Sequence, residues 1–519
     1  PEMEVYSPEM DVYSPENATG KNFLEPVYSS TEKLKVRGLN GRAIGKLTYT
    51  LLQLLSPKDL PENLPNGLLK KYRFIPRWDA YCNIHFPASE DLYTHAVRRL
   101  KYEELFFAQL RLGLIRSTRH RFSEGWVFDK VGEHFNTFYN KFLPFQLTGA
   151  QKRVLKEIRK DVGSGKQMNR LLQGDVGSGK TIVALLSMLI AADNLRPSDG
   201  LAFQSVLMAP TEILARQHYN TIAELVKDMP VCVKLLTGSS KGKERKTVLE
   251  KSEDGTLDIL IGTHAVIEEK VVFKNLGFAV IDEQHKFGVA QRAQLWKKNT
   301  LPPHVLVMTA TPIPRTLALT AYGDLDYSVI DELPPGRKPI HTIHRNESRR
   351  AQVMDFIKDE IALGRQSYIV YPLIEESAKM DYENLMKGFE EVKSFFPEPK
   401  YWISMVHGKQ KADLKETNMQ RFVTGDTQIM VSTTVIEVGV NVPNASVMVI
   451  ESAEKFGLSQ LHQLRGRVGR GAEKSFCILL TGNKVSNDAR ERLKILCETN
   501  DGFKVAEKDL EIRGPGDIE

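Results

Sequence analysis

Eight consecutive residues, Gly174-Asp175-Val176-Gly177-Ser178-Gly179-Lys180-Thr181, have the types and spacing needed to wrap a chain of phosphates. The glycines let backbone N–H groups turn inward. Lys180 brings a cation to the β and γ phosphates, and Thr181 offers a hydroxyl to Mg2+. Leu171-Leu172 precedes the loop and Ile182 to Leu186 follows it. Strand, loop and helix therefore come in the order that aims a helix N-terminus at the anion. A second segment, Asp161 to Lys166, resembles the first, but Lys160 stands at the leading glycine and Gln167 at the hydroxyl position. It reads as a flexible turn.

Phosphate binding becomes hydrolysis only with a carboxylate at the metal and another at the water. Asp282-Glu283-Gln284-His285 ends the apolar run Phe278 to Ile281, so its carboxylates emerge at a strand's C-terminal edge, where parallel sheets place ligands. Asp282 is expected to hold Mg2+ through water, and Glu283 to orient and deprotonate the attacking water. Far downstream, Gln463-Leu464-Arg465-Gly466-Arg467-Val468-Gly469-Arg470-Gly471 concentrates three arginines that need anions. Arg467 and Arg470 fit arginine fingers, which supply about 10³ to 10⁵ in rate. A basic surface helix on nucleic acid is the other reading of the same residues.

The elements that must position these groups follow from the hydrophobic pattern. After Pro144, short β-branched runs at Ser205 to Met208, Leu257 to Ile261, Phe278 to Ile281 and Val305 to Met308 alternate with helical stretches. Such alternation implies a parallel sheet covered by helices. Glu332 to Pro339 reads as a linker. Beyond it the pattern resumes at Tyr368 to Tyr371, Ile403 to Val406, Ile429 to Ser432, Val447 to Ile450 and Phe476 to Leu480. The fold class is α/β, with two parallel-sheet lobes in tandem. Upstream, Ser89 to Arg116 reads as a long helix with Leu92, Ala96, Leu100, Leu105, Leu110 and Leu114 as its apolar positions.

Bulk properties narrow the class. The chain has 519 residues, enough for about three domains, and 41% hydrophobic with 26% charged residues fits a globular protein. Its net charge of +6 is compatible with a polyanion partner. Cys82, Cys232, Cys477 and Cys497 lie too far apart for a zinc site or a disulfide framework, which points to a reducing cytoplasm. The sequence has no apolar run of about 18 residues, so a membrane partner is not expected. Residues Pro1 to Glu16 contain two copies of a seven-residue unit and read as an extended tail. A start at Pro1 and an end inside a motif read as those of a fragment.

The order of these pieces resembles superfamily 2 helicases over roughly residues 140 to 485. The resemblance is carried further by Leu143 to Gln151, Ala209-Pro210-Thr211 to Gln217, Thr237-Gly238-Ser239, Gly262-Thr263-His264-Ala265, Thr309-Ala310-Thr311-Pro312 and Ser432-Thr433-Thr434 to Gly439. Asp282 to Val289, Thr309 to Thr316, Ile369 to Glu375 and Asp501 to Asp517 are similar to the RecG family and the related transcription-repair coupling factors. Ile84 to Pro87 and Arg99 to Leu105 favour RecG.

The resemblance implies RecA-like lobes of the P-loop NTPase type, with a partly helical N-terminal segment and a truncated C-terminal translocation motif. It divides the chain into an extended tail (1–20), a wedge remnant with a linking helix (21–125), the ATP-binding lobe (126–335), the C-terminal lobe (336–488) and part of the translocation motif (489–519). It implies that Gln151 reads the adenine edge and that Gln463 lies at the nucleotide. Pro210, Thr211, Arg216, Gly238, Ser239, Thr263 and His264 in the first lobe, with Thr433 and Thr434 in the second, would grip a DNA backbone. Ordinary helix capping is the other reading of each one taken singly. Thr309, Thr311 and Arg513 would couple nucleotide state to movement.

The implied activity is ATP- and Mg2+-dependent remodelling of branched or duplex DNA, at stalled forks and Holliday junctions, in recombination and repair. A monomeric motor in the bacterial cytoplasm, at the nucleoid, is expected. Another superfamily 2 duplex translocase, an RNA helicase, and a catalytically silent nucleic-acid-binding scaffold are the alternatives.

Overall fold

The computed structural model describes residues 26–122, 124–283, 295, 298–311, 325–334, 338–372, 378–433, 442–469, 471 and 474–513. The chain divides into two compact units, Pro1–Leu114 and Ile115–Glu519.

The first unit is helical: α1 (Glu32–Val36), α2 (Gly41–Leu54), α3 (Asn66–Tyr72), α4 (Arg77–His85) and α5 (Glu90–Phe122) up to Leu114. Local chemistry sets the boundaries. Asn40 caps α2 by accepting from the Ala43 N–H at 2.9 Å, and the Ser89 hydroxyl accepts from the Leu92 N–H at the head of α5. Arg73 ends α3 in the left-handed region at φ 52°. The long helix of the sequence reading is present, but Leu105, Leu110 and Leu114 are exposed. Its buried positions include Ala96, Arg99 and Glu103. Arg99 is fully buried because Glu103 (2.6 Å), Glu62 (2.5 Å) and Asn63 (3.2 Å) all accept from its guanidinium. The stripe therefore centres on an ion pair rather than on leucines.

The second unit contains two sheets. Helices α6 (Glu133–Thr137) and α7 (Gly149–Val162) lead into β1 (Asn169–Gly174), α8 (Lys180–Ala192), β2 (Gln204–Met208), α9 (Glu212–Leu225), β3 (Val233–Leu236), α10 (Gly242–Asp254), β4 (Ile259–Gly262), β5 (Leu276–Asp282), β6 (His304–Thr309) and β7 (Asp326–Ile330). Then follow β8 (Ile340–Asn346), α11 (Arg350–Ala362), β9 (Gln366–Val370), α12 (Ala378–Phe395), β10 (Ile403–Val406), α13 (Ala412–Val423), β11 (Ile429–Ser432), β12 (Ala445–Ile450), α14 (Leu458–Arg465), β13 (Ser475–Thr481), α15 (Asn487–Glu498) and α16 (Gly502–Arg513).

Among the described residues, the first sheet runs β3-β4-β2-β5-β6-β1-β7 and the second β10-β11-β9-β12-β13-β8. Every pairing is parallel. Burial shows why. Strands β1, β2, β4, β5 and β6 are buried at every residue, as a sheet covered on both faces requires. Alternate residues feed two cores: Leu172, Leu207, Val280 and Leu306 pack with α7 and α8, while Leu171, Val206, Ala279 and Val305 join the opposite face.

The nine strands expected from apolar runs are present, with Leu257 lying just ahead of β4 rather than inside it. Strands β3, β7 and β8 were not expected. They lie at or beside sheet edges and alternate with polar residues, as Asp326-Tyr327-Ser328 and His341-Thr342 do, so no apolar run marks them. The expected linker falls between β7 and β8. It is pinned to α7, because Glu332 accepts from the Ala150 N–H at 3.2 Å and Asp331 pairs with Arg153 at 2.7 Å. The look-alike glycine segment closes α7, with Asp161 paired to Arg170 at 2.6 Å. No helix among the described residues is long and apolar enough to cross a membrane.

Candidate functional site

The glycine loop leaves the end of β1 and enters α8, whose helical residues from Ile182 to Ala192 are all buried. That anchor fixes the N-terminus of α8 under the loop. Gly177 and Gly179 have φ of +77° and +85°, a region other residues enter only with strain. Lys180 curls over the loop, its Nζ donating to the carbonyls of Gly174 (2.7 Å) and Asp175 (3.0 Å). The Ser178 hydroxyl is buried with no hydrogen-bond partner, an orphan that a phosphate oxygen would satisfy.

Gln151 lies directly beneath the glycine loop. Its amide is fully buried, accepting from the Thr148 N–H (2.9 Å) and donating to the Ser178 carbonyl (2.8 Å). It completes the capping box of α7 and braces the loop from beneath.

Asp282 ends β5 and is 6% exposed. Burial alone would raise its pKa, but the hydrogen bond from His218 Nε2 to Oδ2 at 2.8 Å, with the charge of Lys180, outweighs it and holds the carboxyl below its usual value. Glu283 is shifted the other way: burial and then the adjacent Asp282 charge push its pKa up. Its backbone sits at φ 51°, a strained conformation of the kind that collects at functional sites. Its carboxylate accepts from the Ala310 N–H at 3.3 Å, which ties it to the turn after β6. Two carboxylates side by side, one held ionised and one made basic, suit a metal holder beside a general base.

Thr181 and Asp282 offer hard oxygens, and Mg2+ bound with a nucleotide takes only one or two such protein ligands alongside phosphates. Among the described residues no cluster of three or more His, Cys, Asp or Glu side chains forms a separate metal cage. With the unpartnered Ser178 hydroxyl, this donor set fits Mg-nucleotide.

The second sheet contributes α14. His462 donates from Nε2 to Asp175 Oδ1 at 2.7 Å, and burial of Asp175, which disfavours its charge, is outweighed by that bond. Gln463 Nε2 donates to the Thr311 hydroxyl at 2.5 Å, while the Thr311 N–H donates to Thr309 Oγ1 at 3.1 Å. Arg467 is 6% exposed, and its charge is among those that oppose the upward shift of Glu283. Buried arginine beside the candidate base disfavours the exposed-helix reading for Arg467. Arg465 instead serves structure, donating to the carbonyls of Leu496 (2.8 Å) and Thr499 (2.6 Å). Arg470 and Thr434 lie outside the described residues, as does the side chain of Arg513.

The strand-contact candidates divide. Pro210 and Thr211 follow β2, Gly238 and Ser239 follow β3, and Thr263 and His264 follow β4, all on one sheet edge. Arg216, Gly238, Ser239 and His264 are exposed, and Pro210 and Thr211 partly so. Thr263 and Thr433 are buried, and their hydroxyls have no hydrogen-bond partner. Thr211 also caps α9 by accepting from the Leu214 N–H at 3.3 Å. His218, His462 and Glu212, which accepts from the Ser239 N–H at 3.0 Å, were not singled out in the sequence. A lone histidine within an apolar helix carries no spacing signal, although His462 adjoins the arginine motif.

Known proteins share this arrangement. The DEAD/DEAH box helicase family matches residues 148–320, and the helicase conserved C-terminal domain matches residues 350–472. The ATP-dependent DNA helicase RecG of Bacillus subtilis is 46% identical over 95% of this chain and 70% of its own length. The RecG helicase of Synechocystis is 45% identical over 95% of this chain, which spans only 57% of that relative. A solved RecG bound to a three-way DNA junction superposes with a TM-score of 0.78 at 40% identity, covering 95% of this chain and 63% of the other. Identity at this level over nearly the whole chain, together with the two helicase family matches, means that the chain belongs to the RecG family of superfamily 2 helicases.

Proposed function

We propose that this chain is the ATP-hydrolysing motor of a DNA helicase that remodels branched DNA, such as stalled forks and Holliday junctions, in recombination and repair. The names of the relatives and the junction-bound RecG support that substrate. The bacterial relatives suggest a cytoplasmic motor acting on chromosomal DNA, and we read residues 126–335 and 336–488 as its two lobes. One observation carries the reading: α14 of the second lobe touches both the glycine loop, through His462 and Asp175, and the coupling turn, through Gln463 and Thr311.

In this reading Lys180 leaves the Gly174 and Asp175 carbonyls for the β and γ phosphates, and the loop N–H groups surround them. Thr181 and Asp282 would hold Mg2+, which would supply positive charge to offset the triphosphate. Glu283, its affinity for a proton raised by burial, orients the attacking water and accepts its proton. Arg467, joined by Arg470, draws off charge from the transferring phosphoryl group. Gln151 braces the loop instead of reading the base.

Loss of the γ phosphate alters Glu283, hence Ala310 and Thr311, and so the grip of Gln463. Pro210, Thr211, Arg216, Gly238, Ser239 and His264 hold DNA by its backbone, which makes binding independent of sequence.

Lys180→Ala abolishes ATP hydrolysis stimulated by DNA, and Arg467→Ala retains ATP binding while losing turnover. Undiminished hydrolysis in Lys180→Ala sinks the site assignment. Stimulation compared at matched salt among a three-way junction, linear duplex and RNA tests the substrate; strongest stimulation by RNA refutes it.

A further inference from the structure

The strand order of the first sheet divides its C-terminal rim in two. Strands β5, β6 and β1 end at Asp282, the Thr309 to Thr311 turn and the glycine loop, whereas β3, β4 and β2 end at the exposed strand-contact candidates. The boundary runs between β2 and β5, which pair in parallel from Ser205 with Phe278 to Met208 with Ile281. His218 crosses it. This residue is 8% exposed, belongs to the helix that follows β2, and donates to the carboxylate that ends β5.

The bond fixes more than a distance. An ionised carboxylate only accepts, so His218 Nε2 carries the proton. Oδ1 of Asp282 accepts from the Glu283 N–H at 3.1 Å and Oδ2 from His218, which together set the rotation of the carboxylate. Carboxylate torsions are otherwise broad, and a metal ligand free to rotate loses directional binding.

The same helix holds the other half of the rim. In its first turns Glu212 accepts from the Ser239 N–H at 3.0 Å, and Arg216 donates to the Ser239 hydroxyl at 3.2 Å. Arg216 and His218 are two residues apart on α9, so they point to different sides of one rigid helix. Because both side chains ride on α9, a shift of that helix on phosphate binding at Arg216 would reach the His218–Asp282 bond.

We propose that His218 is a positioning residue, which fixes the Asp282 carboxylate and carries DNA engagement along α9 to the nucleotide site. The inference rests on the proposed roles of Asp282 at Mg2+ and of Arg216 at DNA. A purely structural histidine would affect stability without affecting metal affinity or DNA stimulation.

The test uses the full chain with His218→Leu, which removes the N–H but keeps bulk, His218→Gln, which returns an N–H at similar reach, and Asp282→Asn. Mn2+ binding in the presence of a nonhydrolysable ATP analogue is followed by electron paramagnetic resonance. ATP hydrolysis is measured with and without a three-way junction, and junction binding without nucleotide is measured separately. His218→Leu should weaken Mn2+ binding about 10- to 100-fold and reduce stimulation by the junction, with nucleotide-free junction binding unchanged. His218→Gln should recover most of both.

Wild-type Mn2+ affinity and full stimulation in His218→Leu, alongside loss of the metal in Asp282→Asn, overturn the proposal; so does a lower melting temperature as its sole effect. Normal Mn2+ binding by Asp282→Asn instead refutes the underlying assignment of Asp282. Should His218→Leu fail to fold, His218→Asn, whose amide is too short to reach, takes its place with the same outcomes.

Discussion

His462 joins the second lobe to the glycine loop of the first, donating from Nε2 to Asp175 Oδ1 at 2.7 Å. Its tautomer is set from behind: Arg465 Nη2 lies 2.8 Å from Nδ1, and a guanidinium can only donate. A charge-assisted bond of this kind contributes about 1.5 to 3 kcal/mol. His462→Ala should therefore shift the nucleotide-free lobes toward an open arrangement by about 10- to 100-fold in population. Energy transfer between dyes placed on the two lobes would report it, together with a raised KM for ATP. An unchanged transfer efficiency would show that this bond does not hold the lobes.

A second prediction concerns the brace under the loop. A Cβ on Gly179 would fall 2.3 Å from Gln151 Nε2, and the backbone there is at φ +85°. Gly179→Ala must strain the backbone, at about 1 to 2 kcal/mol, and also displace the buried amide. ATP affinity should fall by at least about tenfold, read by titration with a fluorescent nucleotide. Gly425 has the same φ but open space around it, so Gly425→Ala costs only the backbone strain and leaves ATP binding intact. Equal nucleotide affinity in the two variants would rule out a role for Gln151 in shaping the loop.

Gly174 to Thr181 and Asp282-Glu283 were legible because their chemistry is local: a turn that requires glycine, and acids at the end of an apolar run. The central strands were legible for the same reason, since burial on both faces leaves a continuous apolar signal. Strands β7 and β8 were not, because Asp326 and Ser328, or His341 and His344, interrupt the signal. Gln151 and Gln463 were assigned to the nucleotide by resemblance, and the partners their amides take, the Ser178 carbonyl and the Thr311 hydroxyl, were not legible. Which of several nearby groups an amide bonds is decided by tertiary packing. His218 and His462 depend on contacts between elements far apart in sequence, and no spacing rule encodes those.

In the helical unit, Arg99 is the residue whose loss should matter most. It is fully buried and bonded to Glu103, Glu62 and Asn63. Replacement by Leu takes the guanidinium from Glu103, which keeps Asn63 and, at 3.4 Å, Arg77, so the cost should reach at most about 3 to 5 kcal/mol, that of breaking a buried pair from one side. Hydrogen exchange of the full chain should show faster opening of α3, α4 and the first half of α5, with the two sheets unaffected. The double variant Arg99→Leu, Glu103→Leu should recover part of the loss. Equal protection in Arg99→Leu and the native chain would contradict the buried-pair account.

The pH dependence of stability should carry the mark of Glu451. This residue follows β12, is 2% exposed, and accepts from Arg350 at 2.7 Å. Burial pushes its pKa up to about 7 from 4.5, despite the opposing pull of Arg350. Because the folded protein holds the proton more tightly than the unfolded chain, the contribution of this group is fully present below about pH 4.5 and is lost as pH rises through about 7. Glu451→Gln keeps the shape but cannot ionise. Relative to the native chain it should gain stability between pH 5 and 8, by up to about 3 kcal/mol. Thermal unfolding of both proteins across that range measures the difference. A difference that does not change with pH would mean that Glu451 stays charged in the fold, with Arg350 outweighing burial.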